Sequence, residues 1–78
     1  MTNLRERAII VIAAVLRVPP ATLSEHSSPD DVGRWDSMKH LQVLLAIEEE
    51  FGIQLPADAA DTLQTVRAIV SAVSERMA

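Results

Sequence analysis

The residues best able to do chemistry stand together in Gly33-Arg34-Trp35-Asp36-Ser37-Met38-Lys39-His40-Leu41, a stretch that leads from a loop composition into an unbroken helical pattern. Ser37 opens that pattern, so its hydroxyl is expected at a helix N-terminus, where unpaired N–H groups and the positive end of the macrodipole face outward. A phosphate ester on that oxygen would sit in a favourable field, which makes Ser37 a candidate for covalent modification. The same residues admit two other readings. Asp and Ser are both favoured N-caps, so Asp36-Ser37 can serve the helix start and nothing more. Alternatively Ser37, His40 three residues on and the adjacent Asp36 supply the members of a hydrolytic triad, at a spacing where helical side chains are neighbours. A nucleophile also needs an oxyanion site and a substrate cleft, for which a chain of 78 residues has little material. His40 is therefore expected at the surface or rim, as is His26 in the preceding loop.

The elements that must hold this serine follow from apolar spacing. Asn3 and Glu6 have the spacing of an N-cap with its reciprocal acid, and Leu4, Ala8, Ile9, Val11, Ile12, Val15 and Leu16 recur as on a helix buried over more than half its circumference. Val18-Pro19-Pro20 ends it, which places the first helix at about residues 3–17. From Pro19 to Asp36 the pattern is aperiodic, anchored by Leu23 and Val32, and predicts a long loop carrying at most a short turn, with Ser28 as cap and Pro29 in the first helical position. Asp30 and Asp31 read as solvated loop acids, because the alternating acids and following glycine of a calcium loop are missing.

The second helix is predicted over 37–51 with two apolar stripes. Val43, Leu44, Ile47 and Phe51 form an inward stripe, while Met38, Leu41 and Leu45 form another, rotated to one side and starting next to Ser37. That second stripe is either a wide buried face or a patch for a partner. Gly52 is placed to take the left-handed position that ends the helix and lets Ile53 fold back. A short turn near 57–61 follows Pro56, and a last helix over 65–77, capped by Thr62 or Thr65, presents Val66, Ile69, Val70, Val73 and Met77. Trp35 is expected to close the top of the bundle, with a role beside the modified serine as the alternative. Three main helices, a short one and a long first loop make a small all-α bundle, read as a single domain over 1–78.

Composition narrows the function classes. With no cysteine, disulfides and thiolate metal sites are excluded and any sulfur chemistry must come from an added group; no metal ligand set is proposed. The formal charge of −4 argues against nucleic acid and suits basic partners. The longest apolar run, Ala8 to Leu16, falls short of the roughly 18 residues of a membrane span, and Glu6 before it does not suit a signal peptide. A cytoplasmic, acidic monomer is expected.

Asp36-Ser37-Met38 opening a helix that closes with Glu48-Glu49-Glu50-Phe51-Gly52-Ile53 resembles the prosthetic-group site of the acyl carrier proteins and related thiolation domains. The likeness runs through nearly the whole chain in the order and spacing of its segments and is strongest from Gly33 to Pro56. It implies an acyl-carrier-like helical bundle that is not an enzyme. In it Ser37 would carry 4′-phosphopantetheine, donated by coenzyme A through a phosphopantetheinyl transferase, and Asp36 would cap the helix or mark the site for that transferase. The arm's thiol would hold acyl intermediates as thioesters for an acyl- or aminoacyl-loading enzyme and a downstream synthase or transferase. By the same resemblance Met38, Leu41, Leu45, Glu48, Glu49 and Asp58 are the partner-docking residues. Fatty-acid-synthesis carriers usually have acids where Lys39 and Gln42 stand here, which implies a specialised stand-alone carrier for a fatty-acid, polyketide or other dedicated acyl pathway. The alternatives are an aminoacyl or peptidyl carrier and a plain helical interaction module.

Overall fold

A computed structural model describes residues 3–77. Four α-helices, α1 (Leu4–Leu16), α2 (Ser37–Phe51), α3 (Ala59–Thr62) and α4 (Val66–Met77), are joined by a long first loop that contains one 3-10 turn, Pro20–Thr22. No strand occurs among the described residues.

Each helix end has a local cause. Asn3 Oδ1 accepts the Glu6 N–H at 2.8 Å, so α1 starts one residue later than expected, with Asn3 as its cap. It stops at Leu16 because Arg17 turns left-handed (φ 59°, ψ 48°) and Val18 N–H closes back on the Ala13 carbonyl at 3.1 Å. A non-glycine residue there costs about 1–2 kcal/mol, and the prolines just downstream remove the helical alternative. Helix α2 has the predicted bounds. Gly52 (φ 63°, ψ 38°) ends it, and Ile53 N–H returns to the Glu48 carbonyl at 3.1 Å. Of the two threonines considered as caps for α4, Thr65 does the work: its Oγ1 accepts the Ala68 N–H at 3.0 Å. Thr62 instead closes α3, its hydroxyl donating to the Asp58 carbonyl at 3.1 Å.

The long loop carries a short turn towards each end. Its short helix forms at Pro20–Thr22, where the Thr22 hydroxyl and N–H both reach the Pro19 carbonyl. The turn expected at Ser28 forms as well, its carbonyl accepting the Asp31 and Val32 N–H groups at 3.0 and 3.1 Å, but the Ser28 hydroxyl is not the cap: it donates to Asp31 Oδ2. The middle of the loop docks on α4: Ser27 and Glu25 carbonyls accept the N–H groups of Val66 and Arg67 at 3.1 and 2.8 Å, satisfying donors that a helix start leaves unpaired.

The largest fully buried side chains are Ile12 and Leu16 from α1, Val43 and Ile47 from α2, Val66, Ile69 and Val73 from α4, and Trp35 from the loop. Each contributes about 1.5–3 kcal/mol of apolar burial, so this aliphatic set, closed at one end by an indole, holds the start of α2 against the other helices. Met77, expected in the stripe of α4, is half exposed at the helix's free end.

Candidate functional site

The serine-bearing turn is built by its neighbours. Asp36 is extended (φ −94°, ψ −176°), its Oδ1 accepts the Lys39 N–H at 2.8 Å and its carbonyl accepts the His40 N–H at 2.8 Å. The cap is therefore supplied by Asp36, and Ser37 becomes the first helical residue, exposed and with a side chain that makes no hydrogen bond among the described residues. The N–H groups of Ser37 and Met38 likewise find no acceptor there. An oxygen nucleophile in solvent, at the positive end of a helix of 15 residues and between Arg34 and Lys39 in the chain, suits a phosphate ester.

Beside the serine runs an open groove of about 540 Å³ between the first turn of α2 and α3, with Trp35, Ser37, His40 and Leu41 on one side and Ala60, Asp61 and Gln64 on the other. His40 is not the rim residue that the sequence suggested; it is only 4% exposed. Its Nδ1 accepts the Trp35 Nε1–H at 3.0 Å, and the two rings sit with centroids 5.7 Å apart and tilted by 46°. Its Nε2 is buried with no hydrogen-bond partner, although the Leu63 and Ala60 carbonyls lie near enough to favour a proton on the ring. Burial outweighs them and lowers the pKa of His40 from its ordinary value of 6.5. With Nδ1 taken by the indole N–H and Nε2 buried, the ring makes no hydrogen bond to the exposed Ser37, so the triad arrangement is not formed. The signal that could have found this position is its register: His40, Val43, Leu44 and Ile47 follow the i, i+3, i+4, i+7 spacing of the inward stripe. Trp35 closes the top of the bundle as expected and is 1% exposed. His26 is exposed, also as expected, near Glu25.

The second stripe of α2 is a surface patch. Met38, Leu41 and Leu45 are 70%, 55% and 63% exposed and follow one another along the helix from the serine. The acids expected beside them differ. Glu49 and Asp58 are exposed, but Glu48 is half-buried with its Oε2 accepting the Leu55 N–H at 2.8 Å. The fold-back after Gly52 brings that N–H to it, so the carboxylate of Glu48 fastens the return segment. Among the described residues no group of three or more His, Cys, Asp or Glu could hold a metal ion, and no helix is long and apolar enough to cross a membrane.

Comparison with known proteins gives this geometry its context. The family model described as "Phosphopantetheine attachment site" matches residues 7–73. An acyl carrier protein from Phenylobacterium zucineum is 36% identical over 78 residues, covering 99% of this chain and 98% of the relative. One from Caulobacter vibrioides is 35% identical over 79 residues, covering 100% of both. The chain belongs to the phosphopantetheine-attachment family of acyl carrier proteins, non-catalytic carriers whose prosthetic group is a covalently attached 4′-phosphopantetheine.

Proposed function

We propose that Ser37 Oγ is the attachment atom and that the chain carries acyl groups between partner enzymes of a dedicated acyl pathway. The observation that carries this reading is the division of labour at the start of α2: Asp36 caps the helix and leaves Ser37 exposed and uncommitted. Attachment forms one O–P bond at Ser37 Oγ as the pyrophosphate bond of coenzyme A breaks, the adenosine 3′,5′-bisphosphate half leaves, and the hydroxyl proton is lost to the transferase. When bound, the arm supplies the thiol that a chain without cysteine lacks. The residues of the chain do the rest. Asp36 holds the turn, Trp35 and His40 brace it from inside, and Met38, Leu41 and Leu45 offer apolar contact to the enzyme that reaches for the arm. Glu49 and Asp58, both exposed, steer basic partner surfaces toward that patch. Tethering the cargo in this way raises its effective concentration at whichever active site is docked.

A second reading, an aminoacyl cargo, is favoured by the carboxylates of Asp30, Asp36 and Asp61, which line the groove beside Ser37 and would attract an ammonium group. The experiment is incubation of the folded protein with coenzyme A and a broad-specificity phosphopantetheinyl transferase, followed by intact-mass measurement. One added phosphopantetheine is expected on the wild type and none on Ser37→Ala. A wild type left at its unmodified mass, or an arm on Ser37→Ala, refutes the assignment. Offering acyl- and aminoacyl-activating enzymes to the arm-bearing protein then separates the two cargo classes.

A further inference from the structure

The ring of His40 joins the segments on which Ser37 depends. It belongs to the first turn of α2, it is hydrogen-bonded to Trp35 in the loop, and it lies against the carbonyls of Ala60 and Leu63 at the end of α3. An indole N–H can only donate, so the bond of 3.0 Å from Trp35 Nε1 requires an unprotonated Nδ1 and puts the single ring proton on Nε2. Adding a second proton would set an N–H on Nδ1 against the indole N–H. Two donors cannot share that contact, and the bond is lost. Trp35 directly precedes Asp36 and Ser37, so what holds the indole also holds the chain as it enters α2.

We propose that His40 is a positioning residue for modification of Ser37: while its Nδ1 accepts the Trp35 Nε1–H, the turn from Arg34 to Ser37 keeps the geometry a transferase must engage, and protonation of Nδ1 releases it. The proposal rests on Ser37 being the attachment site. Burial favours the neutral ring, which keeps the clasp closed near neutral pH. The charged groups that share its groove are Asp30 and Asp36 from the loop and Asp61 from α3, with Lys39 its neighbour in α2. The three carboxylates line the groove, yet none is paired with the imidazole, so a ring cation has no partner in place. The sign of the stability effect follows. The folded-state pKa lies below the unfolded value of about 6.5, so the unfolded chain takes up the extra proton first. The stabilisation is complete above that value and declines as pH falls through it toward the folded-state pKa.

The test exploits the chain's only tryptophan, which makes indole emission a direct reporter of the clasp. Emission of the folded wild type should titrate with one midpoint below about pH 6.5. His40→Gln, whose amide oxygen can accept the indole N–H but cannot titrate, should abolish that transition, and circular dichroism checks that it folds. Wild type and His40→Gln, distinguished by mass, are then offered together to one transferase with coenzyme A, so that the enzyme's own pH profile cancels. The ratio of their initial rates should be close to one at neutral pH. It should fall about tenfold per pH unit once the ring is protonated. Trp35→Phe, which removes the donor and keeps an aromatic ring, should be modified slowly at every pH. A purely structural His40 would leave the rate ratio flat. A flat ratio, absence of an emission transition, or Trp35→Phe modified as fast as wild type each overturns the proposal. Failure of every protein to accept the arm would instead refute the assignment of Ser37, with the emission transition still in place.

Discussion

Asp36 is placed to do two jobs, and they can be separated because one depends on hydrogen bonding and the other on charge. Its carboxylate accepts the Lys39 N–H at 2.8 Å, the cap of the helix that carries Ser37. Asp36→Ala leaves that donor to solvent and should cost about 1 kcal/mol, within the range of about 0.5–2 for losing such a cap. For a domain of this size the corresponding fall in Tm is about 4–8 °C per kcal/mol. Asn caps helices about as well as Asp, so Asp36→Asn should stay within a few tenths of a kcal/mol of the wild type while removing the charge beside the serine. Thermal unfolding followed by far-UV circular dichroism measures the first effect, and initial rates of phosphopantetheine transfer, taken well below each Tm, measure the second. A transferase that reads the carboxylate will modify Asp36→Asn slowly although it is fully folded; one that needs only the cap will modify it at the wild-type rate. The reasoning about the turn fails if Asp36→Asn is destabilised as much as Asp36→Ala, or if Asp36→Ala is not destabilised at all.

Other positions give independent checks. Gly52 sits at φ +63°, yet a Cβ added there would meet nothing within 4 Å, so Gly52→Ala should cost only the left-handed backbone penalty of about 1–2 kcal/mol, with Gly52→Asn costing less; equal losses for the two in chemical denaturation would contradict this. Leu41→Ser and Leu45→Ser, alone or together, should change stability by no more than about 0.5 kcal/mol each, because both side chains already face water. The double variant should nevertheless be loaded and unloaded more slowly by partner enzymes, read as a raised KM with the arm in place, and an unchanged KM would remove the patch from the docking surface.

What could be read from the sequence was whatever local chemistry decides. The bounds of α2 are legible because a cap at Asp36 and a left-handed glycine at Gly52 act within one turn of their own positions. The end of α1 was one residue less legible, since the left-handed position falls to Arg17, a residue with no preference for it, under pressure from the prolines beyond. The exposed serine was legible for the same reason as α2. The inner side of the site was not. His40 looks polar and adjacent to other polar residues, and its burial depends on an indole that lies outside the helix and on the end of α3, neither visible in a helical repeat. Glu48 is similar: the turn at Gly52 was legible, but the contact of its carboxylate with the Leu55 N–H, seven residues on, depends on the path the chain takes after that turn.

The fate of the second stripe of α2 is the clearest case of length deciding function. From its spacing, Met38, Leu41 and Leu45 could have been core residues, and a full-length helix laid beside α2 would have made them so. The segment that lies on that side is α3, with 4 residues against the 15 of α2. At about 1.5 Å per residue it runs roughly 6 Å along a helix of roughly 22 Å, so it shelters Leu44 and the flank of Leu41 and leaves the crest uncovered. The core is already closed by α1, α4 and Trp35 without those three side chains. Their exposure therefore costs the fold little, and it leaves an apolar strip running from the serine along the outside of α2.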